Sequence, residues 1–461
     1  MRGKVRYPHV ILGASLRPES AGLAILLMLL LLLFLLFFLS LMAPSAQAQT
    51  YTVIHNFTGG ADGQNPWAGL TMDAAGNLYG TTCGALCAYQ ASNTGTVFRL
   101  SKKGSGWLFT TLYIFRGGND GAGPDARVVL GPNGSLYGTT MYGGGSGCSG
   151  SGCGTVFNLQ PPASTQPSTF GGWRKTVLYA FQGGSDGANP GFGDLVFDPS
   201  GNIYGTTPLG GNANAGTVFQ LTPTGGGWME NVLYSFTGGS DGGAPYGGVV
   251  LDRAGNLYGT TFQGGNGYCV YGPCGTAFEL TSSASGWTET ILHSFQGGSD
   301  GNNPVAGLNW SSYGMAGTTS IAGVNGGGTV FLLNNPMFLY SFPGGFNNSP
   351  WPGPWSNLVD GPMGMGNSGT TYADGHYQVG SVFYMYGCAG WEAVTLHDFT
   401  GGSDGAYPVS SLVFDANGNI FGTTSQGGAY GFGVVFEITG AQNSQIRSNA
   451  SGCANGSEST K

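Results

Sequence analysis

One phrase, repeated seven times, limits what this chain can fold into more than any other feature. It first reads Asp-x-x-Gly-Asn-Leu-Tyr-Gly-Thr-Thr from Asp73 to Thr82, followed by a polar loop and then Gly-Thr-Val-Phe-x-Leu from Gly95 to Leu100. The glycine of the Tyr-Gly-Thr-Thr slot returns at Gly80, Gly138, Gly205, Gly259, Gly317, Gly369 and Gly422, roughly 55 residues apart. Each unit holds four short extended stretches rich in Val, Tyr, Phe and Thr, bounded by Gly, Asn, Asp or Pro, and no helical period follows residue 48. Such sheets cannot bury their apolar faces singly, and radial packing about an axis solves the problem. The expectation is an all-β chain folded as a seven-bladed β-propeller of four-stranded blades. A β-solenoid is the alternative, but its repeats are usually shorter and its ends need caps.

The strand order can be assigned as well. The Asp-x-x-Gly-Asn hairpin resembles the one joining the innermost and second strands of NHL-type propellers, which puts residues 70–73 at the axis and the Leu-Tyr-x-Phe stretches at the rim. The ring then opens with an outermost strand, 51–57, and closes with a third strand, 433–438. Pairing of that N-terminal strand with the last blade (408–438) is expected to seal the ring and leave no exposed edge.

Gly 89 and Pro 23 among 461 residues, with only 8% charged residues, would by themselves suggest disorder. Periodicity and 13% aromatic content argue for packed strands instead. The first 48 residues differ from the rest: Arg2, Lys4, Arg6 and Arg17 precede an uncharged Leu- and Phe-rich run from Ala21 to Met42, and Ala46-Gln47-Ala48 offers the small residues a signal peptidase reads. Residues 1–48 are therefore expected to be a signal peptide or, uncleaved, an N-terminal membrane anchor; the propeller is expected over 49–440 and a disordered tail over 441–461. Removing the leader takes four of the 14 basic and one of the 22 acidic residues, leaving a net charge of −11. A nucleic-acid partner requires the opposite sign and is excluded.

Cysteines arrive with loop insertions. From the Tyr-Gly-Thr-Thr glycine to the next Gly-Thr-Val-Phe glycine the interval is 11 residues in repeats three, five, six and seven, but 15, 16 and 16 in repeats one, two and four. Those longer loops hold Cys83 and Cys87, Cys148 and Cys153, and Cys269 and Cys274. In an exported chain the pattern points to local disulfides that pin enlarged loops. Cys388 and Cys453 remain, and are expected to tie the tail to the ring.

Candidate chemistry is sparse. A Gly-Gly-x-Asp-Gly segment follows each rim strand, with its acid at Asp62, Asp120, Asp186, Asp241, Asp300 and Asp404, and Asn347 in the sixth repeat. A carboxylate in such a turn commonly accepts backbone N–H bonds. The alternative is a circle of carboxylates on the loop face that attracts calcium, although no local run has the spacing of a calcium hand. The Gly-Gly-Ser-Asp-Gly version formally matches a nucleophile elbow, yet Ala61, Asn119 and Phe346 fill the Ser position elsewhere, so no nucleophile is assigned. His55, His293 and His397 stand in a slot that is Tyr113, Tyr179, Tyr234 and Tyr340 in other repeats and read as rim packing residues. Around the degenerate sixth repeat, Trp351, Trp355, Tyr372, Asp374, His376 and Tyr377 reflect either drift at a tolerant blade or a candidate ligand-binding group suited to stacking on sugar rings or another apolar ligand.

The phrase as it stands from Asp252 to Leu280 resembles the Gloeo/Verruco tandem repeat, also called GloVer, of exported bacterial proteins, and the likeness covers nearly all of 51–438. The resemblance implies an exported, surface or extracellular location and carries no catalytic residue with it. The expected role is a secreted or envelope-associated binding or scaffolding propeller, with extracellular polysaccharide or an envelope protein as partner and the membrane touched only through the N-terminal segment. A polysaccharide-active hydrolase or lyase and a purely structural envelope protein are the alternatives.

Overall fold

The computed structural model describes residues 28–31, 49–84, 94–162, 172–269, 272–333, 338–344, 352–361, 366–387 and 391–440. The chain divides into two units, Met1–Ala48 and Gln49–Lys461. In the first, residues 28–31 are helical; among the described residues no helix is long and apolar enough to cross a membrane. The rest of the expected leader, the tail from 441, Trp351, Asn347, Cys87, Cys388 and Cys453 lie outside the described residues.

The second unit is a seven-bladed β-propeller. Blade 1 runs outward through Thr71–Met72, Leu78–Thr82, Thr96–Lys103 and Gly106–Ile114, all antiparallel. Blades 2 to 6 repeat this order within 129–180, 196–235, 250–294, 309–343 and 359–398. Blade 7 takes Val413–Phe414, Ile420–Thr424 and Val434–Thr439 from the end of the ring and Thr50–Asn56 from its beginning. Tyr51 lies opposite Ile438 and Asn56 opposite Val434, so the N-terminal strand seals the ring as its sequence position implies. The register slips between Val53 and His55, the same place at which blade 1 slips between Val97 and Phe98. The seam is thus an ordinary blade made from two distant pieces of chain.

The repeated glycine has a steric reason. Gly80 pairs directly with Phe98, and a Cβ at Gly80 would lie 2.5 Å from the Phe98 ring. The same clash, at 2.5 to 2.8 Å, is found at Gly138, Gly205, Gly259, Gly317, Gly369 and Gly422. Without a side chain in the way, the phenylalanine lies across the neighbouring strand and meets the rim phenylalanine of the preceding blade. These ring pairs are Phe57–Phe98 (5.3 Å), Phe115–Phe157 (5.2 Å), Phe181–Phe219 (5.1 Å), Phe236–Phe278 (5.1 Å), Phe295–Phe331 (5.0 Å), Phe342–Phe383 (4.8 Å) and Phe399–Phe436 (5.5 Å). Most are edge-on, the geometry the ring quadrupoles favour.

Threonines add a second stitch. The first Thr of the pair donates its hydroxyl to a backbone carbonyl of the next blade, as Thr81 to Ala126 (3.1 Å), Thr260 to Ala306 (2.8 Å) and, across the seam, Thr423 to Ala68 (2.9 Å). Thr139 is different: its hydroxyl is buried without a partner among the described residues. The proline-led segment of the next blade, from Pro190 to Leu195, is one residue longer than its six counterparts.

The rim carboxylates serve as clamps. Each accepts the backbone N–H of the residue four before it at 2.8 to 2.9 Å and a side-chain contact from seven before. Tyr113, Tyr179 and Tyr234 donate to Asp120, Asp186 and Asp241; His55, His293 and His397 reach Asp62, Asp300 and Asp404 at 3.0 to 3.2 Å. The histidines therefore do more than pack: their Nε2 takes over the role of the tyrosine hydroxyl. At five of the described junctions the residue six before the rim phenylalanine covers the clamp of the preceding blade. Phe109 stacks on His55 at 3.9 Å and Tyr51 on His397 at 3.8 Å, while Lys175 pairs with Asp120 at 3.1 Å. Glu230 and Glu289 hold the same place beside Asp186 and Asp241; burial, then the neighbouring negative charge, pushes each up to about 7.

Two of the expected disulfides are closed, Cys148–Cys153 and Cys269–Cys274, and Cys83 is also disulfide-bonded. Cys153 and Cys274 are fully buried and pack with Phe181 and Phe295, so the bridges join the blade core to their enlarged loops.

Two outcomes follow from this packing. Gly205→Ala is expected to destabilise the ring by about 1–3 kcal/mol through overpacking against Phe219, whereas Gly225→Ala, with nothing within 4 Å, should stay within about 0.5 kcal/mol; urea melts compare the two. Glu230 and Glu289 bind protons more tightly folded than unfolded, so their contribution to stability is complete below about 4.5 and is lost as pH rises through about 7. Replacing both by Gln should raise the melting temperature more at pH 8 than at pH 5, and an equal change at the two pH values would contradict the assignment.

Candidate functional site

Seven proline-led segments feed the innermost strands: residues 66–70, 124–128, 190–195, 245–249, 304–308, 354–358 and 408–412. Each proline sits on the Gly-Thr-Val-Phe glycine of the preceding blade. That glycine has a positive φ of 82° to 100°, and a Cβ there would lie 2.4 to 3.2 Å from the proline Cδ. Glycine is needed for both reasons, and the contact aims every segment at the axis.

Beyond the prolines the segments converge on a pit of about 70 Å³ lined from all seven blades, including Trp67, Asp125, Phe192, Val305, Trp355 and Val409. Its floor is nearly closed by backbone. A Cβ on Gly69 would lie 2.7 Å from the Ser411 carbonyl oxygen, and one on Gly248 2.5 Å from that of Asp194. The remaining floor is polar. Arg127 Nη2 meets Asp194 Oδ2 at 2.8 Å, the Arg127 backbone N–H donates to Asp194 Oδ1 at 3.2 Å, and the Asn357 N–H donates to Ser411 Oγ at 3.2 Å. Asp125 is 6% exposed, and burial raises its carboxyl well above the usual carboxylate range.

Two chains of aromatic contacts lead away from rings that line the pit, Trp67 and Trp355 in one and Phe192 in the other. One comprises Trp67 and Trp355 (6.4 Å), Trp355 stacked on Tyr372 (4.8 Å), and Tyr372 beside Tyr407 (5.0 Å). The other runs from Phe192 to Tyr246 (5.2 Å) and on to Phe262 (5.3 Å). Apolar ring faces around a few fixed polar groups form the usual composition of a small-ligand site.

The candidate group read from the sixth repeat is divided between two places. Trp355 lines the axial pit, and Tyr372 stacks on it. Asp374 and His376 instead line a cavity of about 300 Å³ between the rims of blades 5 and 6. Burial foremost, and the charge of Asp398, raise the Asp374 carboxyl. Tyr377 is 53% exposed and meets His376 edge-on at 4.9 Å. The carboxylates of the rim circle sit on separate blades, each occupied by its own turn; among the described residues no group of three or more His, Cys, Asp or Glu could hold a metal ion. Sequence reasoning passed over Trp67, Asp125, Arg127 and Asp194. A signal was present: six of the segments repeat as Pro-x-small-x-Leu/Val with the two unspecified positions changing character from blade to blade, and the seventh, 190–195, carries an extra residue.

Comparison with curated proteins returns no match. Among solved structures, the chain is similar to a protein of unknown function from Dyadobacter fermentans, with TM-score 0.41, 13% identity, and coverage of 85% of this chain and 98% of that one. It is also similar to a putative oxidoreductase (glucose dehydrogenase) from Thermus thermophilus, with TM-score 0.37, 12% identity, and coverage of 85% and 100%. Both are too distant for a function to be carried across. Residues 41–271, 152–334 and 269–459 match the Gloeobacter/Verrucomicrobia repeat. With that match running over the whole ring, and the repeated Gly-Phe junction explaining why the phrase recurs, the chain belongs to the Gloeobacter/Verrucomicrobia repeat family.

Proposed function

We propose that this protein is an exported binding propeller that holds a carbohydrate ring at its axial mouth. The observation that carries the reading is the pairing of the Trp67, Trp355 and Phe192 rings with polar side chains in one pit. Sugars present apolar C–H faces that stack on Trp and Tyr, and hydroxyls that bond to carboxyl, guanidinium and amide groups. Trp67 and Trp355 are the stacking surfaces in this reading, and Asp125, Arg127 and Asn357 the polar partners. Export follows from the leader-like residues 1–48 and agrees with the disulfides at Cys148–Cys153 and Cys269–Cys274.

A hydrolase acting on extracellular polysaccharide is the second reading. It is favoured by one observation: Asp125, whose carboxyl burial raises well above the usual carboxylate range, shares the pit with Asp194. Against it, Asp194 is already engaged by Arg127, so the binding role is preferred.

A glycan array followed by calorimetry on the isolated ring distinguishes the two. The expected outcome is retention of an envelope or extracellular polysaccharide without turnover. Trp67→Ala and Trp355→Ala should each weaken it about thirtyfold, the effect of truncating an anchor worth about 2 kcal/mol. Turnover abolished by Asp125→Asn would favour the hydrolase, and a folded ring that retains no glycan would remove both readings.

A further inference from the structure

The rim junctions of the propeller carry an internal comparison that points to a second binding site. Between blades 1 and 2, the ammonium of Lys175 is enclosed by aromatic rings. Its side chain is 3% exposed, and Nζ lies 3.1 Å from Asp120 Oδ1 and 5.9, 5.3 and 5.7 Å from the ring centres of Tyr113, Phe115 and Phe157. A cation over desolvated aromatic faces with a carboxylate beside it is held both by the ring quadrupoles and by charge.

The same enclosure is built between blades 5 and 6 from Tyr340, Phe342 and Phe383. Tyr340 and Phe342 are 4.9 Å apart at 77°, against 5.3 Å and 80° for Tyr113 and Phe115. Phe342 and Phe383 are 4.8 Å apart, against 5.2 Å for Phe115 and Phe157. Strand register makes Ala393 the counterpart of Lys175: Lys175 lies opposite Leu159, two residues past Phe157, and Ala393 lies opposite Met385, two residues past Phe383. At the other described junctions this place is filled by Phe109, Glu230, Glu289 and Tyr51. Here the side chain ends at Cβ, and the cavity of about 300 Å³ is what remains. Its volume is about twice that of an engineered cavity that binds benzene.

The carboxylate has been kept by other means. Asn347 occupies the slot of Asp120 in sequence, but Asp374 and Asp398 both line the cavity, and the charge of Asp374 acts on the Tyr340 hydroxyl. Asp398 Oδ1 and Gln378 Oε1 are buried with no hydrogen-bond donor among the described residues. The cavity therefore combines aromatic walls, carboxylates and unmatched acceptors, the complement of a donor-rich cation on a short apolar stem.

We propose that the cavity between blades 5 and 6 binds a primary alkylammonium group, which occupies the place that the side chain of Lys175 fills between blades 1 and 2. The amine is either a small free molecule or the side chain of a lysine in a peptide; both present the same four-carbon stem and ammonium.

Calorimetry and thermal melts of the folded ring with n-butylammonium chloride, N-acetyl-lysine amide and n-butanol test this. Saturable binding of n-butylammonium with little or none of the isosteric alcohol is expected, and binding of the lysine amide as well would assign the site to peptides in addition to free amines. Asp374→Asn should weaken amine binding at least tenfold with the fold intact by circular dichroism. Ala393→Lys should abolish it and raise the melting temperature without ligand, because the chain then supplies its own ammonium. If the wild-type ring binds neither amine, or binds n-butanol equally well, the proposal fails. It also fails if Asp374→Asn binds as wild type does, or if a folded Ala393→Lys variant retains full affinity.

Discussion

Every blade junction turns on one contact between three residues. A glycine on the second strand vacates the space over which the third-strand phenylalanine lies, and that ring then receives the rim phenylalanine of the preceding blade. All seven junctions repeat it, including the seam, where the two partners are Phe399 and Phe436 on one side and Phe57 and Phe98 on the other. Blade spacing is thereby set by the same pair of rings each time. A ring whose first strand belongs to the last blade can close because that strand leads to Phe57, the one ring the final blade otherwise lacks.

Since the junction needs only Gly, Phe and Thr, other positions are released to vary. Two sets use that freedom. At the axis, the residues flanking the small residue after each proline become Trp, Asp, Tyr, Arg or Asn, and the pit acquires aromatic sides and a charged floor. At the rim, among the described residues, the position over the clamp becomes aromatic, basic, acidic or alanine. The ring is thus regular where blades touch and individual where it faces solvent or a cavity. Function is more naturally sought at these individual positions, since packing alone does not explain their differences.

The rim carboxylates illustrate how alike residues can differ in availability. Six aspartates in a circle suggest a charged surface, yet each is bound by its own turn and by a Tyr or His from the adjoining strand. That Tyr and His alternate in one slot is intelligible once both are seen as N–H or O–H donors at the end of a flat ring. Asp374, outside the circle, lines a cavity instead.

Much of this architecture was legible in the sequence, because strand order, blade number, seam and local disulfide pairing all follow from residues close together in the chain or from a fixed repeat. The phrase around Gly80 predicts turns and strands locally, and the phase of the repeat dictates which strands must pair at the ends. The two cavities are another matter. Trp67 and Trp355 are separated by most of the ring, and Lys175 and Ala393 become comparable only when their junctions are superposed. Reading residues 346–377 as one cluster joined Trp355 and Tyr372 to Asp374 and His376, although the loop after Tyr372 turns from the axis toward the rim. The sequence by itself determined the repeating unit and how many copies close the circle, since both rest on local backbone chemistry. Only the tertiary structure decided which side chains share a cavity, because closing the ring brings together residues that no spacing along the chain relates.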